Sequence, residues 1–221
     1  MIKKPPKLPF FDYYQEPAFR PLALAAGQVT FAWNSLYEVL GALFVTMHGR
    51  GVPAEVPLAT WNAIKADRTQ RDMLKAAANA YLATRSMAKI HQYARDDLKW
   101  LVDQIGNLED VRNNIIHSPL VLSGTIDHRI AVVPAVFSGH PRAKRLEEAM
   151  IKRGLLSEFI WCRDAALILR DYAWRIYAAL LGEETWPDRP PMPVHRPAPS
   201  KPHRPQTSPS KRHAPPRSSR A

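Results

Sequence analysis

Arg112, Asn113 and His117 are the residues of this chain whose types and spacing can do chemistry together. An imidazole moves protons near neutral pH, a guanidinium stays charged and grips phosphate oxygens, and a carboxamide both donates and accepts hydrogen bonds. Set around one phosphodiester, they amount to acid-base chemistry at phosphorus, with the cation neutralising the charge that develops. They stand in the stretch LEDVRNNIIHSP, residues 108–119. Asn113 and His117 are four apart, one above the other on a helix, whereas Arg112 and His117 are five apart, about 140° round it. All three meet only if the helix ends, loosens or finds a partner there. Ser118 followed by Pro119 predicts the ending, because the residue before a proline is pushed out of the α region. The macrodipole at a helix C-terminus favours imidazolium, so a raised His117 pKa is the expectation.

The element that must carry this group is a long amphipathic helix from about 88 to 117. Its apolar face runs through Ile90, Ala94, Leu98, Leu101, Ile105 and Leu108, in steps of three and four. The next position of that face is Arg112, a charge where a core residue belongs, and such a placement is costly unless an anion or a cleft meets it.

The pattern of Arg112, Asn113, three intervening residues and His117 resembles the signature of the HEPN superfamily, and with it the helical layout of residues 20–182. The resemblance implies an all-α fold, an antiparallel four-helix-type bundle that forms a homodimer with two copies of the motif at one cleft. It implies a metal-independent endoribonuclease that needs no cofactor and cleaves RNA through the neighbouring 2′-hydroxyl, leaving a 2′,3′-cyclic phosphate and a 5′-hydroxyl. His117 would be the general acid or base, Arg112 would hold the scissile phosphate and Asn113 would orient it. Nucleases of this family commonly act as toxins or in phage defence, with an antitoxin or regulatory protein as partner. Other members keep the bundle as a non-catalytic adaptor, a dimerisation or nucleic-acid-binding module. A structural reading of the same residues pairs Arg112 with Glu109 or a neighbouring helix and uses His117 as a helix cap.

Five other helical stretches are expected ahead of and behind the motif. Val29, Trp33, Leu36, Leu40, Leu43 and Met47 mark one over 22–47, stopped by Gly49 and Gly51. A short helix lies around Trp61 (57–66), and another starts at Asp67, an N-cap candidate, and runs through an alanine-rich segment to 83. Arg68 and Arg71 share a face of that helix and either extend an RNA-binding surface or form an ordinary solvated face. Glu38, on the first helix, is read as solvated. After the motif, Leu120, Val121 and Leu122, then Ile130 to Val133, read as two short strands of a hairpin or ordered loop inserted into the bundle. Helices follow over 142–152 and from Ser157, as N-cap, to Leu180.

Residues 1–21, with five prolines, read as an extended arm anchored by Phe10, Phe11, Tyr13 and Tyr14. Eleven of the chain's 21 prolines fall in 187–221 with eight Lys and Arg against one Asp, so +7 of the net +11 charge sits there. Residues 183–221 therefore read as a disordered basic tail, either a solubiliser or a weak, salt-sensitive RNA tether. His195, His203 and His213 are too loosely spaced for a metal site. One cysteine, Cys162, allows no intrachain disulfide and reads as a small buried hydrophobe. With no apolar run of membrane-spanning length, the chain is expected to be cytoplasmic and off the membrane. It has no Gly-rich phosphate loop, paired-histidine metalloprotease spacing, CxxC pair or GxSxG elbow.

Overall fold

A proline in the first helical turn loses no hydrogen bond, and Pro21 occupies that place in α1 (Arg20–Thr46). The step of three and four that follows buries Val29, Trp33, Leu36, Leu40 and Leu43, none more than 2% exposed. The structure, a computed structural model, describes residues 16–49, 51–84, 93–124 and 130–194. Phe10, Phe11, Tyr13 and Tyr14 of the expected arm lie outside the described residues, as do 195–221 of the expected tail with its three histidines.

The described residues are mostly helical: α1, α2 (Glu55–Ala63), α3 (Asp67–Thr84), α4 (Ala94–Ile116), α5 (Pro141–Arg153) and α6 (Leu155–Leu181). The expected hairpin is present as β1 (Leu120–Gly124) and β2 (Ile130–Pro134), antiparallel, with Leu120 opposite Pro134 and Gly124 opposite Ile130. No described helix is long and apolar enough to cross a membrane.

The centre is the pairing of α1 with α6 along their lengths, where buried Ala32, Ala165, Ala166 and Ala173 let the two backbones approach. The buried stripe of α4, Ala94, Leu98, Leu101, Ile105 and Leu108, closes the core from a third side. Trp61 of α2 packs against α1 at Gly41, where a Cβ would come within 3.0 Å of the Trp61 Nε1.

Two starts differ from expectation. Gly154, at φ +87, turns the chain from α5 straight into α6, so α6 begins at Leu155 and Ser157 lies inside its first turn rather than capping it. Asp67 is likewise inside its helix, and its carboxylate accepts the indole N–H of Trp33 at 3.0 Å.

The tail boundary also moves. Residues 183–194, expected to be disordered, lie along the helices: buried Asp97 accepts Trp186 Nε1 at 2.7 Å and Arg189 Nε at 2.6 Å, and Trp161 Nε1 donates to the Pro193 carbonyl at 2.7 Å. Proline-rich composition rules out helix and sheet ladders, but it leaves side chains free to dock an extended strap.

Arg71, only 7% exposed, joins three helices: its Nη2 is 2.5 Å from Glu109 Oε2 on α4, and its Nη1 donates to the Tyr37 hydroxyl on α1 at 2.8 Å. Removing one partner of such a buried group strands the other. Arg71→Ala is therefore expected to lower the unfolding free energy by about 2–4 kcal/mol. The exposed Arg68→Ala should change it by less than about 0.5 kcal/mol. Urea denaturation of both variants checks this, and equal effects would make Arg71 a mere surface cation.

Candidate active site at the end of α4

The helical ladder of α4 stops at Ile116, with the His117 amide donating to the Asn113 carbonyl at 3.1 Å and the Ser118 hydroxyl to the Asn114 carbonyl. At His117 the backbone takes φ −106 and ψ 4, outside helical geometry, and Pro119 follows. That departure is what overcomes the 140° separation. Arg112 Nη1 donates to Asn113 Oδ1 at 3.0 Å and stands 3.3 Å from His117 Nε2. The three residues that the spacing singled out do meet, and for the expected reason, the end of the helix.

Their setting is open on one side and packed on the other. His117 is exposed, whereas Arg112 and Asn113 are partly buried. The Arg112 guanidinium carbon lies 5.6 Å from the ring centroid of Trp33, a cation–π contact that holds the side chain from below. Trp33 is itself held by Asp67. Arg112 Nε is sealed from solvent and has no hydrogen-bond partner.

Glu109 is not the partner of Arg112; Arg71 takes it. Among the described residues no carboxylate forms an ion pair with Arg112. The structural reading of the motif thus loses its ion pair, and His117 directs its ring at Arg112 rather than at a helix carbonyl. Arg71, in turn, is corrected as an RNA-binding candidate: buried and paired, it offers no surface to a phosphate, and only Arg68 of that pair remains exposed. Glu38 is exposed, as read.

The raised His117 pKa does not follow either. Partial burial, then the cations Arg112 and Arg142, push it below its ordinary value. The macrodipole of α4 acts in the opposite direction. The Arg112 contact agrees with the lowering. A guanidinium can only donate, so Nη1 bonds to Nε2 only when Nε2 is unprotonated, which places the ring proton on Nδ1. Cys162, fully buried near Arg112 on α6, has its thiol pushed up to about 12 by burial and is no nucleophile. No group of three or more His, Cys, Asp or Glu among the described residues has a metal-binding arrangement.

Spacing did not reveal Trp33 or Arg142. Trp33 reads as one more core residue of α1, and Arg142 as one of several basic residues in α5. No protein-family model, no curated protein and no solved structure matches the chain.

Because the folded-state pKa of His117 lies below the unfolded one, the folded protein binds that proton less readily. The group costs nothing above about pH 6.5, and stability falls as pH drops below it towards the folded value. An NMR titration is expected to place the His117 midpoint below that of a free histidine, and Arg112→Gln to raise it. A midpoint at or above the free value would mean that the two cations do not face the ring.

Proposed function

We propose that this chain is an HEPN-like endoribonuclease that cleaves RNA by 2′-hydroxyl transesterification at Arg112, Asn113 and His117. One observation carries the reading: a partly buried guanidinium without a carboxylate partner among the described residues lies 3.3 Å from an imidazole nitrogen and 3.0 Å from an amide oxygen at an open surface. An unpaired cation drawn out of water and a neutral base beside it suit a phosphate that brings its own hydroxyl.

In this mechanism His117, neutral at neutral pH, takes the proton of the 2′-hydroxyl. The O2′–P bond forms, the P–O5′ bond breaks, and the 5′ oxygen leaves with a proton. Arg112 turns its Nη groups from His117 to the non-bridging oxygens, whose charge grows in the transition state. Asn113, already held through its Oδ1, has its amide N–H groups left to orient the phosphate. One imidazole cannot give and take a proton at once. A second copy of the chain, in the homodimer that the family likeness implies, brings a second His117, which in its protonated form gives its proton to the departing 5′ oxygen. The bundle belongs to the same proposal: the contacts α1 with α6, α6 with α4, α4 with α3 and α3 with α1 support a closed ring of four helices. An open rather than enclosed site also suits a polymer that must lie across it.

Purified protein in EDTA is expected to cut end-labelled single-stranded RNA, giving fragments that end in cyclic phosphate. His117→Ala should lose at least about 100-fold in rate. The wild-type rate is expected to pass through a maximum below about pH 6.5, falling on the acid side as the base His117 takes up its proton and on the alkaline side as the acid His117 loses its own. No cleavage, or equal cleavage by His117→Ala, would leave the non-catalytic helical module as the better account.

A further inference from the structure

Six described arginines are buried or partly buried: Arg71, Arg112, Arg142, Arg153, Arg163 and Arg170. Four of them sit in ion pairs, with Glu109, Glu158, Asp164 and Asp171 respectively. The two with no carboxylate within reach among the described residues are Arg112 and Arg142. A guanidinium that gives up part of its water without gaining an anion is a costly arrangement, and an anionic ligand offsets that cost.

The fold sets α5, which carries Arg142, against α4, which carries Arg112. The Ala135 amide donates to the Pro119 carbonyl at 2.8 Å, which closes the base of the hairpin two residues from His117. From there a single 3-10 turn (Val136–Ser138) and Gly139, at φ +70, lead into α5. Ala143 and Leu146, 0% and 1% exposed, pin α5 to the core. Arg142 is thereby held partly buried at the start of α5, while Lys144 and Arg145 point to solvent. His140, two residues before it, has its Nδ1 sealed from solvent without a hydrogen-bond partner, as Arg112 has its Nε. That Arg142 and Arg112 both depress the His117 pKa agrees with their facing one ring.

We infer that Arg142 is a second phosphate-binding residue of the site, gripping the backbone of a single-stranded nucleic acid beside the phosphate that Arg112 holds. This rests on the reading of Arg112 and His117 as an RNA site, and it adds a contact from a distant segment of the chain. Hairpin and α5 then form one wall of the strand's path, and α4 the other.

The test uses the full chain with Arg142→Gln and Arg142→Met, either of which removes the charge if the other folds poorly, and Arg145→Gln as an exposed control. The probe is a labelled single-stranded oligodeoxynucleotide, which lacks the 2′-hydroxyl and cannot be cut, titrated at several salt concentrations. Neutralising Arg142 is expected to weaken binding about tenfold and to reduce the salt dependence by about one phosphate contact, while Arg145→Gln binds as wild type. Wild-type affinity in both Arg142 variants, or an equal loss in Arg145→Gln, would overturn the proposal. RNA cleavage by the same proteins separates the two readings. Cleavage with an unchanged KM in the Arg142 variants removes Arg142 and keeps the nuclease; Arg142-dependent binding without any cleavage keeps the phosphate site and removes the nuclease.

Discussion

The buried pair of Arg71 and Glu109, tied to the Tyr37 hydroxyl, governs both the frame and the site. It locks α1, α3 and α4 at one point, and such a pair contributes more to fixing a particular arrangement than to net stability, because both charges leave water. Burial holds the Tyr37 phenol above its ordinary pKa, so it stays a neutral donor and acceptor beside the guanidinium. The same pair also occupies the carboxylate that lies one helical turn before Arg112. If Glu109 turned to Arg112, the motif would be an internal ion pair with nothing left for a ligand. Because Arg71 holds it, Arg112 reaches the surface with its charge uncompensated.

From that constraint the electrostatics of His117 follow. The helix end alone would favour a protonated ring, yet partial desolvation and the nearby cationic charge of Arg112 and Arg142 favour the neutral form. The arrangement separates roles that a lone histidine could not keep apart: fixed positive charge on the arginines, a proton acceptor on the imidazole. Trp33 contributes without any polar contact to a ligand. Its ring supports the Arg112 cation from below, while its N–H is spent on Asp67, which joins the base of the site to the start of α3.

Two segments without helical pattern turn out to be structural. The hairpin sends the chain back to Pro119 and sets α5 beside the motif. The strap of residues 183–194 hangs on Asp97, in the first turn of α4, so the helix that ends in the motif is held at its far end by Trp186 and Arg189. The Arg189 guanidinium carbon also lies 5.8 Å from the ring centroid of Trp100, a cation–π contact that adds to this anchor.

What the sequence by itself determined is local. Apolar steps of three and four laid out α1, α4 and α6, alternating β-branched residues laid out the hairpin, and Ser118 with Pro119 placed the helix end that lets Arg112, Asn113 and His117 meet. These depend on neighbours within a turn or two, where propensity and periodicity act. Which charges pair was legible to none of these signals. Glu109 has Arg112 three residues away and Arg71 on another helix, and only the packing of α3 against α4 chooses the distant one. The same packing buried Arg71, which its spacing had placed beside Arg68 on a shared face, while the docking of α5 on α4 put Arg142 on the motif's side of the bundle. Electrostatic partners act through space across a few ångströms, and that proximity is created by tertiary structure rather than by order along the chain.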